Sequence, residues 1–273
     1  NNWFGATAVL NDRSHRRDMR FDQRVSDKNN AFFRWSRFWK PGGAVTSRWG
    51  SGDNVNTPCN GSFQISDTHS ISPSWLNEFR LGSTYNGSTQ RAGVKAKPLL
   101  DLLGVQGVPQ VLYSGDITGF PAITINGVTA ISGLGHLDQT FRTWDIHNIV
   151  SVARNRHAVK FGVNIRKDIF NTRNWDKAGT FAFNGTFSSV GVADFLLGIP
   201  YSSVRAYSRA ALGLTSLRGW YSGFFIQDDF KITPRLTMNF GLRWDTTHPG
   251  QETHGLYYNF DPATGNLIVP SAE

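Results

Sequence analysis

Residues 220–245, WYSGFFIQDDFKITPRLTMNFGLRWD, decide the fold. From Leu236 to Trp244 every second residue is apolar, and the residues between them are polar or glycine. A period of two over about ten residues is typical of a strand with one apolar and one polar face. The run before it has the same alternation, interrupted at Ser222 and Asp228. We therefore predict two β-strands.

A turn at Thr233-Pro234-Arg235 separates the two runs. Proline favours a turn because its φ is fixed and it has no amide hydrogen to donate. A three-residue loop predicts three opposed pairs, namely Ile232 with Leu236, Ile226 with Leu242 and Phe224 with Trp244. Both strands then direct their apolar residues to the same side, as an antiparallel hairpin requires.

Composition supports an all-β chain. The protein has 273 residues, 13% aromatic and 18% charged, with 28 glycines and nine tryptophans. The single cysteine, Cys59, excludes an internal disulfide framework. No apolar run reaches the length of a transmembrane helix, which leaves a membrane barrel possible. The net charge of +8 is scattered, and the densest basic run, residues 13–17, is interpreted as a strand end or solvated loop in preference to the alternative of a phosphate site.

Three further hairpins are predicted. Residues 18–25 and 31–39 pair with Val25 opposite Ala31 and Phe21 opposite Trp35. Residues 63–71 and 75–83 flank a turn at 72–74. Residues 144–152 and 159–165 flank a basic loop at 153–158, with Val152 opposite Val159 and Ile146 opposite Ile165.

Long connections separate the hairpins, at residues 40–62, 84–140 and 168–218. Within them we expect a short strand near 120–128, a short helix near 98–103 and a helix over 192–200 that ends at a Gly-x-Pro stop. Asn60-Gly61, Asn86-Gly87 and Asn184-Gly185 are interpreted as turns. Short turns on one side and long loops on the other are typical of an outer-membrane barrel, whose strands need about 9–11 residues to cross.

Alternation alone leaves two fold classes open. A soluble antiparallel sheet alternates in the same way, so a secreted β-rich binding or adhesin domain with a sandwich core is the alternative. Aromatic residues near the predicted strand ends favour lipid instead. They are Trp35, Phe38, Trp39, Trp75, Trp144, Trp220, Tyr221 and Trp244. Hairpins closed into a barrel would also pair every backbone group inside the membrane.

Five segments carry a resemblance to a known family. Residues 225–245 resemble the hairpin of bacterial TonB-dependent outer-membrane receptors, more narrowly the Oar-like receptors with a carboxypeptidase-regulatory-like domain. Residues 22–36, 72–82, 156–167 and 192–200 resemble stretches of the same group in the same order. The resemblance runs from about residue 1 to residue 270.

The resemblance implies a barrel of about 22 strands around a plug, in the bacterial outer membrane. It also implies TonB-driven import of a scarce ligand of the iron-chelate, cobalamin or oligosaccharide class. The sequence shows no plug, TonB box or signal peptide, so we expect residues 1–273 to be an internal part of the barrel, a partial antiparallel meander. The expected partners are outer-membrane lipid, the TonB complex through a plug outside this sequence, and an unidentified extracellular ligand, with no nucleic acid.

No catalytic, metal or cofactor site is predicted, and we expect no enzyme activity. Asp228 and Asp229 are neighbours on a strand and point to opposite faces. The seven histidines show no metal-ligand spacing, and Cys59 has no nearby histidine, so it is expected to be a buried or loop thiol.

Ligand contacts are expected from the three long connections and from the face that lines the lumen. No single residue is assigned to the ligand. The predicted lumen set is Arg20, Arg24, Arg34, Arg80, Lys160, Arg166, Arg243 and Asp245.

Overall fold

The computed structural model describes residues 13–41, 43–46, 53–92, 122–128, 130, 136–175, 180–204, 214–255 and 257–268. Most of them form strands. In chain order the elements are β1 (His15–Arg24), β2 (Asn29–Trp39), β3 (Gly43–Thr46), β4 (Asp53–Ser72), β5 (Trp75–Ala92), β6 (Ala122–Ile125), β7 (His136–Arg154), β8 (His157–Trp175), β9 (Thr180–Phe183), α1 (Gly191–Leu197), β10 (Ser202–Val204), β11 (Leu214–Thr233), β12 (Leu236–Glu252), β13 (Asn259–Asp261) and β14 (Asn266–Ile268).

One large antiparallel sheet dominates the molecule, in the order β1-β2-β4-β5-β7-β8-β11-β12, and β3 also pairs with β4. Consecutive long strands are neighbours, so the predicted meander of hairpins is confirmed. The sheet is open, because no pairing joins β1 to β12 within the described part of the chain. No helix in those segments is long and apolar enough to cross a membrane.

The hairpin of β11 and β12 has the predicted register, with Ile226 opposite Leu242 and Phe224 opposite Trp244. The prediction was wrong at the turn, where Thr233 and not Ile232 pairs with Leu236. Thr233 Oγ1 accepts a bond of 3.3 Å from the Arg235 amide, which tightens the turn to two residues and leaves Ile232 in a bulge.

The turn between β4 and β5 has the same hydroxyl–amide hydrogen bond and the same bulge. Ser72 pairs with Trp75, its Oγ accepts a bond of 3.4 Å from the Ser74 amide, and Ile71 is the bulged residue. Both turns follow the pattern Ile-(Ser/Thr)-Pro-x. The same local chemistry therefore closes two hairpins.

The other two hairpins differ from prediction in loop length. Phe21 pairs with Phe33, and Met19 with Trp35, a shift of two residues from the predicted register. The cause is a tighter turn, in which Ser26 Oγ accepts bonds from the amides of Lys28 and Asn29. An even shift leaves every side chain on its predicted face.

Between β7 and β8, Val152 pairs with Val159 and Ile146 with Ile165, as predicted. The six-residue loop was wrong, because Arg154 pairs with His157 across a two-residue turn. Asn155 permits this turn by adopting a φ of 55°.

The long connections are shorter than predicted because the strands continue into them. Parts of 40–62, 84–140 and 168–218 belong to β3, β4, β5, β7, β8 and β11, and two of the predicted Asn-Gly turns, at 60–61 and 86–87, lie inside β4 and β5. The short strand near 120–128 is β6 and the predicted helix over 192–200 is α1, ended by Gly198 at φ 70°. The predicted helix near 98–103 lies outside the described residues.

A small unit forms from the segments around α1. β6 pairs with β9 in parallel and β9 pairs with β10. Ile123 and Phe183 are buried there, and the ring of Phe183 meets that of Phe195 edge to face at 5.3 Å. These two are the buried hydrophobic residues of the described chain.

Among the described residues, no second layer covers the apolar face of the large sheet. Phe21, Phe161 and Phe240 are 60%, 40% and 52% exposed, and Leu242 is 73% exposed. A sandwich core would have buried these side chains. Uncovered apolar rows on paired strands are the condition of a sheet whose outer face meets lipid.

The distance between a row of paired residues and the hairpin turns increases from β2 towards β12. Asn29, His69, Val150 and Ile226 belong to one row of paired residues. They lie zero, three, four and seven residues from the turn end of their strands, and Leu242, which continues the row into β12, lies six residues from its turn end. From β2 to β12 the row therefore moves six residues away from the turns in six strand steps. The stagger is thus about one residue per strand. This is a shift of roughly 3.3 Å along the strand direction for each 4.8 Å step to the neighbouring strand. If the turns share one level, the strands tilt by about 35°, as barrel closure requires.

Candidate functional site

The polar face of the sheet is continuous across all eight strands of the meander. Directly paired residues share a face, so each face can be followed from strand to strand. One row runs Arg20, Arg34, Gln64, Gly82, Asp145, Arg166, Tyr221 and Thr247. The next row runs Asp22, Phe32, Ser66, Arg80, His147, Asn164, Gly223 and Asp245.

By this register, all eight residues of the predicted lumen set lie on the polar face. The prediction for the aromatic residues was wrong at two positions. Phe38 and Tyr221 lie on the polar face, whereas the six tryptophans named with them lie on the apolar face. Parity within each strand decides the face, and nearness to a strand end does not.

Ion pairs between residues i and i+2 recur on this face. The nitrogen–oxygen distances are 2.7 Å for Arg16–Asp18 and Arg20–Asp22, 3.1 Å for Arg166–Asp168 and 2.8 Å for Arg243–Asp245. Side chains two apart on a strand share a face, so this spacing brings opposite charges together. Exposed pairs add little to stability. Their effect here is a surface on which positive and negative charge are interleaved.

Tyr221 is the centre of the best-connected cluster. Its hydroxyl donates to Asp245 Oδ1 and accepts a bond of 2.8 Å from Arg243 Nη2, and the Arg166 guanidinium lies 5.2 Å from its ring centre. Gly223 makes room for this cluster, because a Cβ there would lie 2.6 Å from Asp245 Oδ1. The Tyr221 hydroxyl, the Arg243 guanidinium and the Asp245 carboxylate thus meet over the backbone of Gly223, which has no side chain.

A second cluster joins β7 and β8. Asn164 Nδ2 lies 3.0 Å from Asp145 Oδ2 and 2.9 Å from His147 Nε2, and Thr143 Oγ1 donates to Asp168 at 2.9 Å. The predicted lumen set omitted these residues, although their parity in each strand places them on the same face. The face holds guanidinium, imidazole, amide, hydroxyl and carboxylate groups, which suits reversible hydrogen bonding to a polar ligand.

An open recess of about 520 Å³ lies on this face. Its charged walls are Arg16, Arg34, Arg80 and Asp145, with His147 beside them. Of the predicted ligand-contacting connections, most of 40–62 and 168–218 belongs to the described residues, whereas most of 84–140 lies outside them.

Asp194 organises the described part of the connection around α1. Its buried carboxylate accepts bonds from the Ser188 amide at 2.8 Å, from the Ser188 hydroxyl and from the Phe187 amide at 3.4 Å. The Ser188 hydroxyl, more than the backbone amides, lowers the pKa of the Asp194 carboxyl below its usual value. This carboxylate holds a loop in shape and is not accessible to a ligand.

In the described segments, no three His, Cys, Asp or Glu side chains are grouped so as to hold a metal ion. Asp228 and Asp229 lie on opposite faces as predicted, and Asp228 Oδ2 contacts His157 Nδ1 at 2.6 Å. Cys59 is half-buried in β4, so it is neither a fully buried nor a loop thiol, and Arg37 Nη2 lies 3.5 Å from its Sγ.

Comparisons with known proteins agree with this geometry. A family model described as "Outer membrane beta barrel domain" matches residues 1–273. The crystal structure of the outer membrane transporter YddB from Escherichia coli superposes with a TM-score of 0.55 at 9% identity, over 94% of this chain and 28% of that one. At this identity the likeness shows the fold alone, and the chain spans under a third of the transporter's length. No curated protein matches.

Proposed function

Because the chain belongs to the outer membrane beta barrel domain family, we propose that it forms part of an active-transport receptor of the TonB-dependent, Oar-like type. Its location is the bacterial outer membrane, where lipid surrounds the barrel. The observation that carries the proposal is the pairing of an uncovered apolar face with a continuous, ion-paired polar face on the same tilted strands.

TonB supplies the energy in this proposal, through a plug outside the sequence. The cargo is a scarce extracellular compound of the iron-chelate, cobalamin or oligosaccharide class. The resemblance of residues 22–36, 72–82, 156–167, 192–200 and 225–245 to TonB-dependent receptors supports both statements. The clusters around Tyr221 and Asn164 support a polar cargo, since they offer donors and acceptors side by side. The protein acts as a transporter and not as an enzyme.

Uptake by cells tests the proposal. Cells that express the full-length protein would be given radiolabelled cyanocobalamin, ferric hydroxamate or maltooligosaccharide, with and without a functional TonB complex. We expect one class to accumulate at least tenfold more when TonB is present. Equal accumulation of every probe in both strains would contradict TonB-dependent import.

The alternative of a soluble adhesin domain makes a different prediction. It requires a protein that stays monodisperse without detergent, with apolar faces packed together. The exposed Phe161 and Phe240 argue against that packing. Slower gel migration of the boiled than of the unboiled full-length protein is the expected sign of a barrel.

A further inference from the structure

On the apolar face, basic residues appear among the apolar ones far from the short turns. One row on that face runs Arg17, Arg37, Gly61, Tyr85, Arg142, Ile169 and Arg218. The adjacent row on the turn side runs Met19, Trp35, Phe63, Ser83, Trp144, Lys167 and Trp220. A row rich in arginine thus adjoins a row rich in aromatic rings, on the side that meets lipid.

Depth places these residues at the far edge of the hydrocarbon. Arg37 lies eight residues from the turn end of β2, Lys167 ten from that of β8 and Arg142 twelve from that of β7. At a tilt of 35° each residue advances about 2.7 Å along the barrel axis, which puts these cations roughly 20–30 Å from the turns. The apolar band of an outer-membrane barrel is about 25 Å tall. Short turns face the periplasm, so the cations lie at the outer leaflet.

The partners of these cations differ from those on the polar face. We define Arg17, Arg37, Arg142 and Lys167 as the outer cations. The Arg17 guanidinium lies 5.0 Å from the Trp39 ring centre, that of Arg142 5.4 Å from Tyr85, and Lys167 Nζ 4.7 Å from Trp220. No carboxylate within the described ranges forms an ion pair with an outer cation. Their positive charge is therefore available to an anion from outside the chain.

Two of the outer cations line a recess together with aromatic side chains. It has a volume of about 560 Å³, and its lining includes Arg17, Arg37 and Lys40 beside Trp35 and Trp39. Aromatic rings hold the sugar and acyl part of an amphiphile, while guanidinium groups bind phosphate oxygens in pairs.

We propose that this recess and the outer cations bind the phosphorylated sugar headgroup of the outer-leaflet glycolipid, lipopolysaccharide. Charge complementarity selects this occupant, because the headgroup carries its phosphates at the depth where the cations lie. Its acyl chains then cover the aromatic row. The site is independent of the transported cargo, so it stands even if the proposed transport fails.

Two double variants test the site. Arg17→Gln with Arg37→Gln removes two directly paired cations from the lipid side of β1 and β2. Arg20→Gln with Arg34→Gln removes two directly paired cations from the polar face of the same strands and is the matched control. Purified full-length protein in detergent would be titrated with lipid A, dephosphorylated lipid A, inorganic phosphate and phosphatidylethanolamine.

We expect lipid A to bind the wild type and the control within twofold of each other, and the Arg17/Arg37 variant at least fivefold more weakly. Dephosphorylated lipid A and phosphatidylethanolamine should bind no more tightly to the wild type than to that variant. Equal loss in both double variants, or equal affinity for lipid A with and without phosphate, would overturn the proposal. Tight binding of inorganic phosphate alone would show a free-anion site instead.

Folding is checked by heat-modifiable migration of each variant. If the Gln variant does not fold, Arg17→Lys with Arg37→Lys keeps the charge and loses the paired guanidinium contacts. It should bind lipid A with intermediate affinity and a steeper dependence on salt.

Discussion

Phe225 lies directly opposite Gly162 on the neighbouring strand, and its ring occupies the space that a side chain at Gly162 would need. A Cβ on Gly162 would lie 2.6 Å from Phe225 Cε1 and 2.9 Å from the carbonyl oxygen of Asn148. The ring can rotate away, but the carbonyl belongs to a paired strand and cannot. Gly223 differs, because its close neighbours are the flexible ends of Asp245, Tyr221 and Arg243.

Gly162→Ala should therefore destabilise the protein more than Gly223→Ala. We expect the first change to lower the free energy of unfolding by about 1–3 kcal/mol, through forced backbone movement. The second should lower it by less than about 1 kcal/mol, since it disturbs only exposed polar contacts. Urea unfolding of the full-length protein in lipid bilayers measures both. A larger loss for Gly223→Ala would contradict this ranking.

A charge on the apolar face should be costly at mid-membrane depth. Phe240 lies four residues from the turn end of β12, on the apolar face, and its neighbour Asn239 lies on the polar face. Phe240→Arg should lower stability by about 2–4 kcal/mol, whereas Asn239→Arg should change it by less than about 1 kcal/mol. Equal effects would mean that lipid does not cover Phe240.

The turn between β7 and β8 should tolerate glycine but not alanine. Asn155 has a φ of 55°, in the left-handed region where a Cβ is disfavoured and Asn is the usual exception. Asn155→Ala should cost about 1–2 kcal/mol in unfolding free energy, and Asn155→Gly should cost nothing measurable. Refolding of both variants into lipid vesicles provides the comparison.

Acid should loosen the loop that Asp194 holds. Its carboxyl pKa is lowered in the folded protein, chiefly by the Ser188 hydroxyl. The contribution to stability is thus complete above the carboxyl's usual pKa and is lost as the pH falls through the lowered value. Limited proteolysis within 184–200 should accelerate at low pH in the wild type.

Asp194→Asn provides the control for this pH dependence. Its amide cannot accept every bond that the carboxylate accepts, so cleavage should be fast at neutral pH and change little on acidification. Wild-type cleavage that stays slow throughout acid titration would refute the role of the carboxylate.

Sequence reasoning succeeded where one physical signal dominated. Alternation located the β7–β8 and β11–β12 hairpins and assigned the predicted lumen residues to the correct face. It could not place the ends of the strands, because polar residues such as Asn60 and Asn86 pair inside β4 and β5 as well as they would fit turns. Turn closure by Ser26 and Thr233 depends on hydroxyl geometry that alternation does not report.

The sequence predicts only part of each cluster in the candidate site. Parity placed Arg166, Arg243 and Asp245 on one face, but Tyr221 joins them only through cross-strand register. The outer cations were not recognised from the sequence as one binding site. Arg17 and Arg37 occupy apolar-parity positions, and a pattern search treats them as interruptions and not as an interface with headgroups.

The length of the strands has a consequence for how a solute first meets the protein. β4 and β11 each have 20 residues, about twice what a tilted crossing needs. The surplus of about ten residues extends above the membrane as hydrogen-bonded strands, roughly 27 Å high at the same tilt. An arriving molecule touches a wall that is already ordered, so less conformational entropy is lost on capture than if mobile loops had to close around it.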